Sequence, residues 1–174
     1  MFDRLLARPQ TTAAALILLG GLAAILAAWG YELIGGYVPC KLCLEQRDPY
    51  YLGLPVALLA LLSDRLGGPA WLTRGALAAV ALIFAYGAAL GIYQAGSQWG
   101  FWAGPTDCGA TRGATIPGAA TDLLGSLNKV KIASCTEVDW RMLGLSFAGW
   151  NAVVSAGIVV LALAGAVLRP RAAA

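Results

Sequence analysis

The sequence predicts an all-α membrane protein, a four-transmembrane-helix bundle with two outward-facing loops, the second long and carrying a short amphipathic helix. Three observations predict it. Hydrophobic residues make up 59% of the chain and charged residues 12%, which leaves too little polar surface for a water-soluble domain. Four apolar segments recur, separated by short charged turns or by one long polar stretch. Basic residues gather beside alternate ends of these segments, the pattern of a multi-pass membrane protein. No repeat, low-complexity tract or polar linker divides the chain, so residues 1–174 read as a single domain.

The first segment runs from about Thr11 to Ile34, follows Arg4 and Arg8, and is interrupted only by Glu32 near its far end. It exceeds the roughly 20 residues that span a bilayer and the roughly 7 to 15 of a signal-peptide core, so it is expected as an uncleaved first helix. The second segment looks short, with about 15 uncharged residues between Asp48 and Asp64. Starting near Cys43 would bring it to spanning length and place Glu45, Arg47 and Asp48 in its first turns, with kinks expected at Pro49 and Pro55. The third and fourth segments, Leu72 to Tyr93 and about Leu143 to Leu168, are plain spanning helices.

Arg4, Arg8, Arg65, Arg74, Arg169 and Arg171 flank the segments on one side, which predicts a cytoplasmic location for both termini and for the tight turn after the second helix. The outside loops are then about Gly35 to Leu42 and Gln94 to Arg141, and every cysteine lies in or beside one of them. Disulfides persist in the periplasm or outside the cell and not in the cytosol. In the long loop, Gly100, Gly104, Pro105, Gly109, Gly113, Pro117 and Gly118 predict coil around Cys108. Leu123, Leu124, Leu127 and Val130 recur at helical spacing beside Asp122, Asn128, Lys129 and Lys131, which predicts a short amphipathic helix on the lipid surface, the alternative being an ordinary loop helix packed on its own protein.

The reactive inventory is cysteine. The chain has no histidine, which argues against haem, His-ligated copper and triad chemistry, and the thin spread of a net charge of +3 gives no footprint for nucleic acid. Cys40-Lys41-Leu42-Cys43 is a C-x-x-C pair, and at the amino end of a helix, next to Lys41 and four residues before Arg47, Cys43 would be favoured as a thiolate. Zinc would want a second C-x-x-C knuckle, whereas Cys108 and Cys135 are far apart, so no metal is expected. Passive disulfides would explain the loop cysteines, but a bridge across two residues constrains too little chain to stabilise much. Arg47 also has a bland reading as an anchor for lipid phosphate. Tyr37, Tyr50, Tyr51, Trp99, Phe101, Trp102, Trp140 and Trp150 fall near outer helix ends, as in an interfacial belt, and Gln94 reads as a solvated loop residue or a donor to a bound ring.

Pro39-Cys40-Lys41-Leu42-Cys43 with Gln46-Arg47, four spanning segments, and Cys108 and Cys135 followed by Glu137 and Trp140 together resemble the bacterial DsbB family of thiol oxidases, over nearly the whole chain. That resemblance implies a membrane disulfide oxidase whose partner is a DsbA-like periplasmic thiol protein and whose cofactor is a quinone, ubiquinone or menaquinone, in the bacterial inner membrane. It implies that the partner attacks Cys108, that Cys135 helps resolve the mixed disulfide and exchanges with Cys40, and that Cys43 faces the quinone with Arg47 anchoring it. The chain departs from familiar members in lacking a histidine near the outer end of the third helix and in having Gln46 where a glutamate commonly precedes the arginine. Vitamin K epoxide reductase-like proteins are the alternative relay, although their quinone-proximal pair lies late in the chain, and a non-catalytic membrane protein with structural disulfides is the alternative of another class.

Overall fold

The computed structural model describes residues 8–36, 39–104, 135, 136, 138 and 141–168. Its helices are α1 (Pro9–Leu33), α2 (Lys41–Glu45), α3 (Asp48–Arg65), α4 (Ala70–Gln98) and α5 (Phe147–Val167), with a small hairpin of β1 (Arg141–Met142) and β2 (Leu145–Ser146) ahead of α5. Among the described residues, α1, α4 and α5 are long and apolar enough to cross a membrane. The amphipathic helix expected around Leu123 to Val130 and the coil around Cys108 lie outside the described residues.

The four long helices form a ring in which α1 packs on α3 and α5, and α4 packs on the same two, while the diagonal pair α1 and α4 barely meets. Ile17, Leu77, Val80, Phe84 and Ile158 fill the centre, with Ala57, Ala60 and Ala162 letting backbones approach. The outward surface is apolar as well: Leu19, Leu26, Leu82 and Val160 are all exposed, as side chains facing lipid would be. Gly91 sets the closest approach of α4 to α5, since a Cβ there would lie 2.9 Å from the Ala152 nitrogen and 3.0 Å from the Ala148 carbonyl oxygen.

At one end, α1, α3 and α4 are joined by polar groups. Thr11 donates to Asp64, Thr73 donates to Ser63 at 3.1 Å, and the Gln10 amide sits between Asp64 Oδ1 and Arg74 Nε at 3.2 Å from each. A buried polar cluster of this kind is stable when each member is satisfied.

Three helix boundaries differ from expectation, the simplest being that α5 begins at Phe147 and not near Leu143, because residues 141–146 form the hairpin. The second segment does not run on from Cys43: the chain turns at Gln46 and Arg47, and α3 begins at Asp48 with Pro49 in its first turn. A helix continuing from Lys41 would drive the Pro49 ring into the carbonyl of Glu45, whereas a fresh start places the missing N–H where none is needed. At 18 residues α3 is about 27 Å long, with Pro55 inside it. The third segment runs past Tyr93 to Gln98, because Gln94, Ala95, Gly96 and Ser97 are buried and continue the helix into the protein instead of into solvent. Beyond it, Gly100 at φ +78° turns the chain so that Trp102 lies over Gly96 and donates to the Tyr93 carbonyl at 2.9 Å.

Before α5, Leu143 and Gly144 have φ of 53° and 84°, the paired positive values of a two-residue type I′ hairpin loop. Ser146 then caps α5 by accepting from the Gly149 N–H at 3.3 Å.

Candidate functional site

Cys40 is the N-cap of α2, with extended backbone, and its sulfur accepts the Cys43 N–H at 3.4 Å. That turn brings the two sulfurs to 2.8 Å, and both cysteines are free thiols. Cys40 is buried and Cys43 half-buried, so Cys43 is the more exposed residue of the pair.

One thiol must donate to the other, and the surroundings decide which. The Cys43 thiol is lowered to about 6, first by the hydrogen bond from the Cys40 thiol, with burial opposing, then by Gln94 and by the Arg47 charge. The Cys40 thiol is pushed up, because its proton is held by Cys43 and because it is buried. The pair shares one proton, held on Cys40, and the anion sits on Cys43. The Cys43 N–H of this turn goes to Cys40, and Cys43 is held low by the Cys40 thiol, by Gln94, by a backbone hydrogen bond from Cys40 and by Arg47.

Arg47 caps α3 instead of lying one turn along a helix from Cys43, and its Nη1 is ion-paired with Glu32 in the last turn of α1. Cys135 is fully buried and disulfide-bonded, and it packs with Cys40 and Leu42, with Cys43 and Leu90 at the edge of the same cluster. Cys40, Cys43, Cys135 and Arg47, distant in sequence, are thus gathered at one end of the bundle, while Cys108 lies outside the described residues.

Two glutamines of α4 hold these groups from below. Gln94 Nε2 donates to Cys40 Sγ at 3.4 Å and Cys43 Sγ at 3.5 Å, and one turn later Gln98 Nε2 donates to the Cys135 carbonyl at 3.4 Å. Gln94 is therefore a buried residue of α4 and not a solvated loop residue. Its oxygen accepts from Gln46, whose own oxygen accepts from Asn151 Nδ2 at 2.7 Å, and Asn151 Oδ1 accepts from the Tyr50 hydroxyl at 2.8 Å. The sequence placed Tyr50 among the interfacial aromatics, yet Tyr50 is buried edge-on against Phe84 with ring centroids 5.1 Å apart. The signal for these residues was their polarity inside otherwise apolar segments. Tyr51, Trp99, Phe101 and Trp102 are exposed as a belt requires, and Tyr37 and Trp140 lie outside the described residues.

A buried dithiol beside a disulfide-bonded cysteine is built for thiol–disulfide exchange, in which the attacking species is the thiolate. Comparison with known proteins leads to the same chemistry. The family model for Disulfide bond formation protein DsbB matches residues 10–165. Disulfide bond formation protein B of Verminephrobacter eiseniae (strain EF01-2) is 32% identical over 152 residues, covering 86% of this chain and 82% of that protein. The protein of the same name from Dechloromonas aromatica (strain RCB) is 32% identical over 151 residues, 83% of this chain and 85% of its own length. No solved structure matches the chain. Matched along nearly its whole length, from the first helix to the last, the chain belongs to the DsbB family of disulfide bond formation proteins.

Proposed function

We propose that this chain is a membrane disulfide oxidase that reoxidises a DsbA-like periplasmic thiol protein and passes the electrons through its two cysteine pairs to a membrane quinone. The observation that carries the reading is the Cys40 and Cys43 dithiol packed against Cys135. In it α3 crosses the membrane as a fourth span beside α1, α4 and α5, the termini are cytoplasmic, and the cysteine end faces the periplasm of the inner membrane.

The partner's two thiols become a disulfide, and the two electrons and two protons they lose are passed on. A thiolate of the reduced partner attacks Cys108 of the Cys108–Cys135 disulfide, forming a mixed disulfide and releasing Cys135; Cys135 attacks Cys40 of the C-x-x-C pair in its disulfide form and releases Cys43. The partner's second thiol then closes on the mixed disulfide and releases Cys108, which re-forms its bond with Cys135 and leaves Cys40 and Cys43 as the dithiol. Burial of Cys40 against Cys135 supports that hand-over, because it excludes competing thiols. Cys43, the more exposed residue of the pair and the one favoured as an anion, faces the acceptor. The donor set fits a quinone: Arg47 brings guanidinium N–H groups suited to a carbonyl oxygen, and exposed Leu33, Ile34 and Tyr51 supply apolar surface nearby in sequence. A bound quinone supplies a two-electron, two-proton acceptor. One is needed energetically, since DsbA-like couples sit near about −120 mV and each 30 mV is worth about 1.4 kcal/mol for two electrons.

The test mixes the purified protein in detergent with a reduced DsbA-like protein and a soluble quinone and follows quinone absorbance. Quinone is expected to be reduced by the wild type and not by Cys43→Ser. An inactive wild type, or undiminished reduction by the variant, overturns the proposal.

A further inference from the structure

The geometry points to Gln94 as a positioning residue that holds the Cys40 and Cys43 sulfurs and favours their anionic form, its amide orientation imposed by a one-way chain of hydrogen bonds from Tyr50 through Asn151 and Gln46. This inference rests on the proposed relay and gives its C-x-x-C pair a mechanism of activation.

The direction of the chain carries the argument. Tyr50 O–H donates to Asn151, Asn151 Nδ2 to Gln46, Gln46 Nε2 to Gln94, and Gln94 Nε2 to both sulfurs. An amide has a donor end and an acceptor end, so each link fixes the orientation of the next. With its oxygen occupied by Gln46, Gln94 can offer the sulfurs only N–H, which stabilises an anion and gives an S–H nothing to donate to. Gln46 is 5% exposed and Gln94 2%, so water cannot substitute for a lost link. The links come from the α2–α3 turn, α3, α4 and α5, so the orientation is a property of the assembled bundle.

No member of the chain between Tyr50 and the sulfurs titrates, so the donor is present at every working pH. Among the described residues, the charged groups on the elements that carry and flank the pair are Arg47, ion-paired with Glu32 of α1, Lys41 and Glu45 of α2 itself, and Asp48 at the start of α3. On the α4 and α5 sides the amides of Gln94 and Asn151 stand in place of charge.

The experiment measures alkylation of Cys43 in the full-length protein against pH, without quinone or partner, reading the Cys43 peptide by mass spectrometry. The wild-type rate is expected to rise through a midpoint of about 6. Gln94→Leu is expected to move the midpoint up by about one unit and to slow alkylation at pH 6 roughly fivefold to tenfold, and Gln94→His, which can still donate, to restore most of the shift. If Gln94→Leu does not fold, Asn151→Leu decides: it touches neither sulfur, and the chain requires it to move the midpoint in the same direction by a smaller amount. A folded Gln94→Leu, or in its place a folded Asn151→Leu, with an unmoved midpoint overturns the inference. Because no acceptor is present, that result is independent of the quinone assay, whose failure would instead overturn the relay.

Discussion

At the residue scale the site separates groups that react from groups that hold them. Arg47 is the charge that lowers the Cys43 thiol, and it is ion-paired with Glu32. Arg47→Ala is expected to raise the apparent quinone KM about tenfold, the worth of one charge-assisted hydrogen bond, while thiol exchange with the partner stays nearly unchanged. Separate measurement of the two half-reactions checks this, and equal loss of both would remove Arg47 from its assigned role. Cysteine spacing and the arginine were legible in the sequence because reactive residue types are rare in an apolar chain. Gln46 and Gln94 were legible singly but not as partners of each other or of Asn151, because a hydrogen-bond chain between residues 46, 94 and 151 has no periodic trace in the sequence.

At the element scale, hydropathy located each long helix within a few residues, but local chemistry set the ends. Pro49 divided what length arithmetic would have made one helix, and burial carried α4 past its expected end. The packing of α4 on α5 gives a sharp test, since the same substitution should have opposite signs at two glycines of α4. Gly75 has open space around its Cβ position, so Gly75→Ala is expected to stabilise by about 0.5–1 kcal/mol through helix propensity alone. Gly91 meets the α5 backbone, so Gly91→Ala is expected to destabilise by about 1–3 kcal/mol through overpacking. Thermal unfolding in detergent checks both. The hairpin before α5 offers a third case: Leu143 is 86% exposed and sits at φ 53°, where an L side chain costs about 1 kcal/mol. Leu143→Asn is expected to recover much of that cost, read as a higher unfolding midpoint, because asparagine tolerates this conformation.

At the scale of the whole molecule, polar groups collect at the two ends of an apolar ring: Gln10, Thr11, Asp64 and Arg74 at one, the sulfurs and their amides at the other. With the basic residues beside the first of these ends, the proposed orientation places it in the cytoplasm. A reporter that fluoresces only in the cytoplasm, fused after Ala174, is expected to be bright, and a periplasm-dependent phosphatase at the same position inactive; the reverse pattern would overturn the orientation. The sequence by itself determined the membrane class, the order of the long helices and the family resemblance, because these depend on composition, on segment length and on motifs within a few residues of one another. Only the tertiary structure decided that Cys135 packs on Cys40, that Arg47 pairs with Glu32, and that Gln94 faces the sulfurs with its donor end. Each of these depends on which faces of the packed helices meet, and an amide's direction is set by its partner's partner, information that no single segment carries.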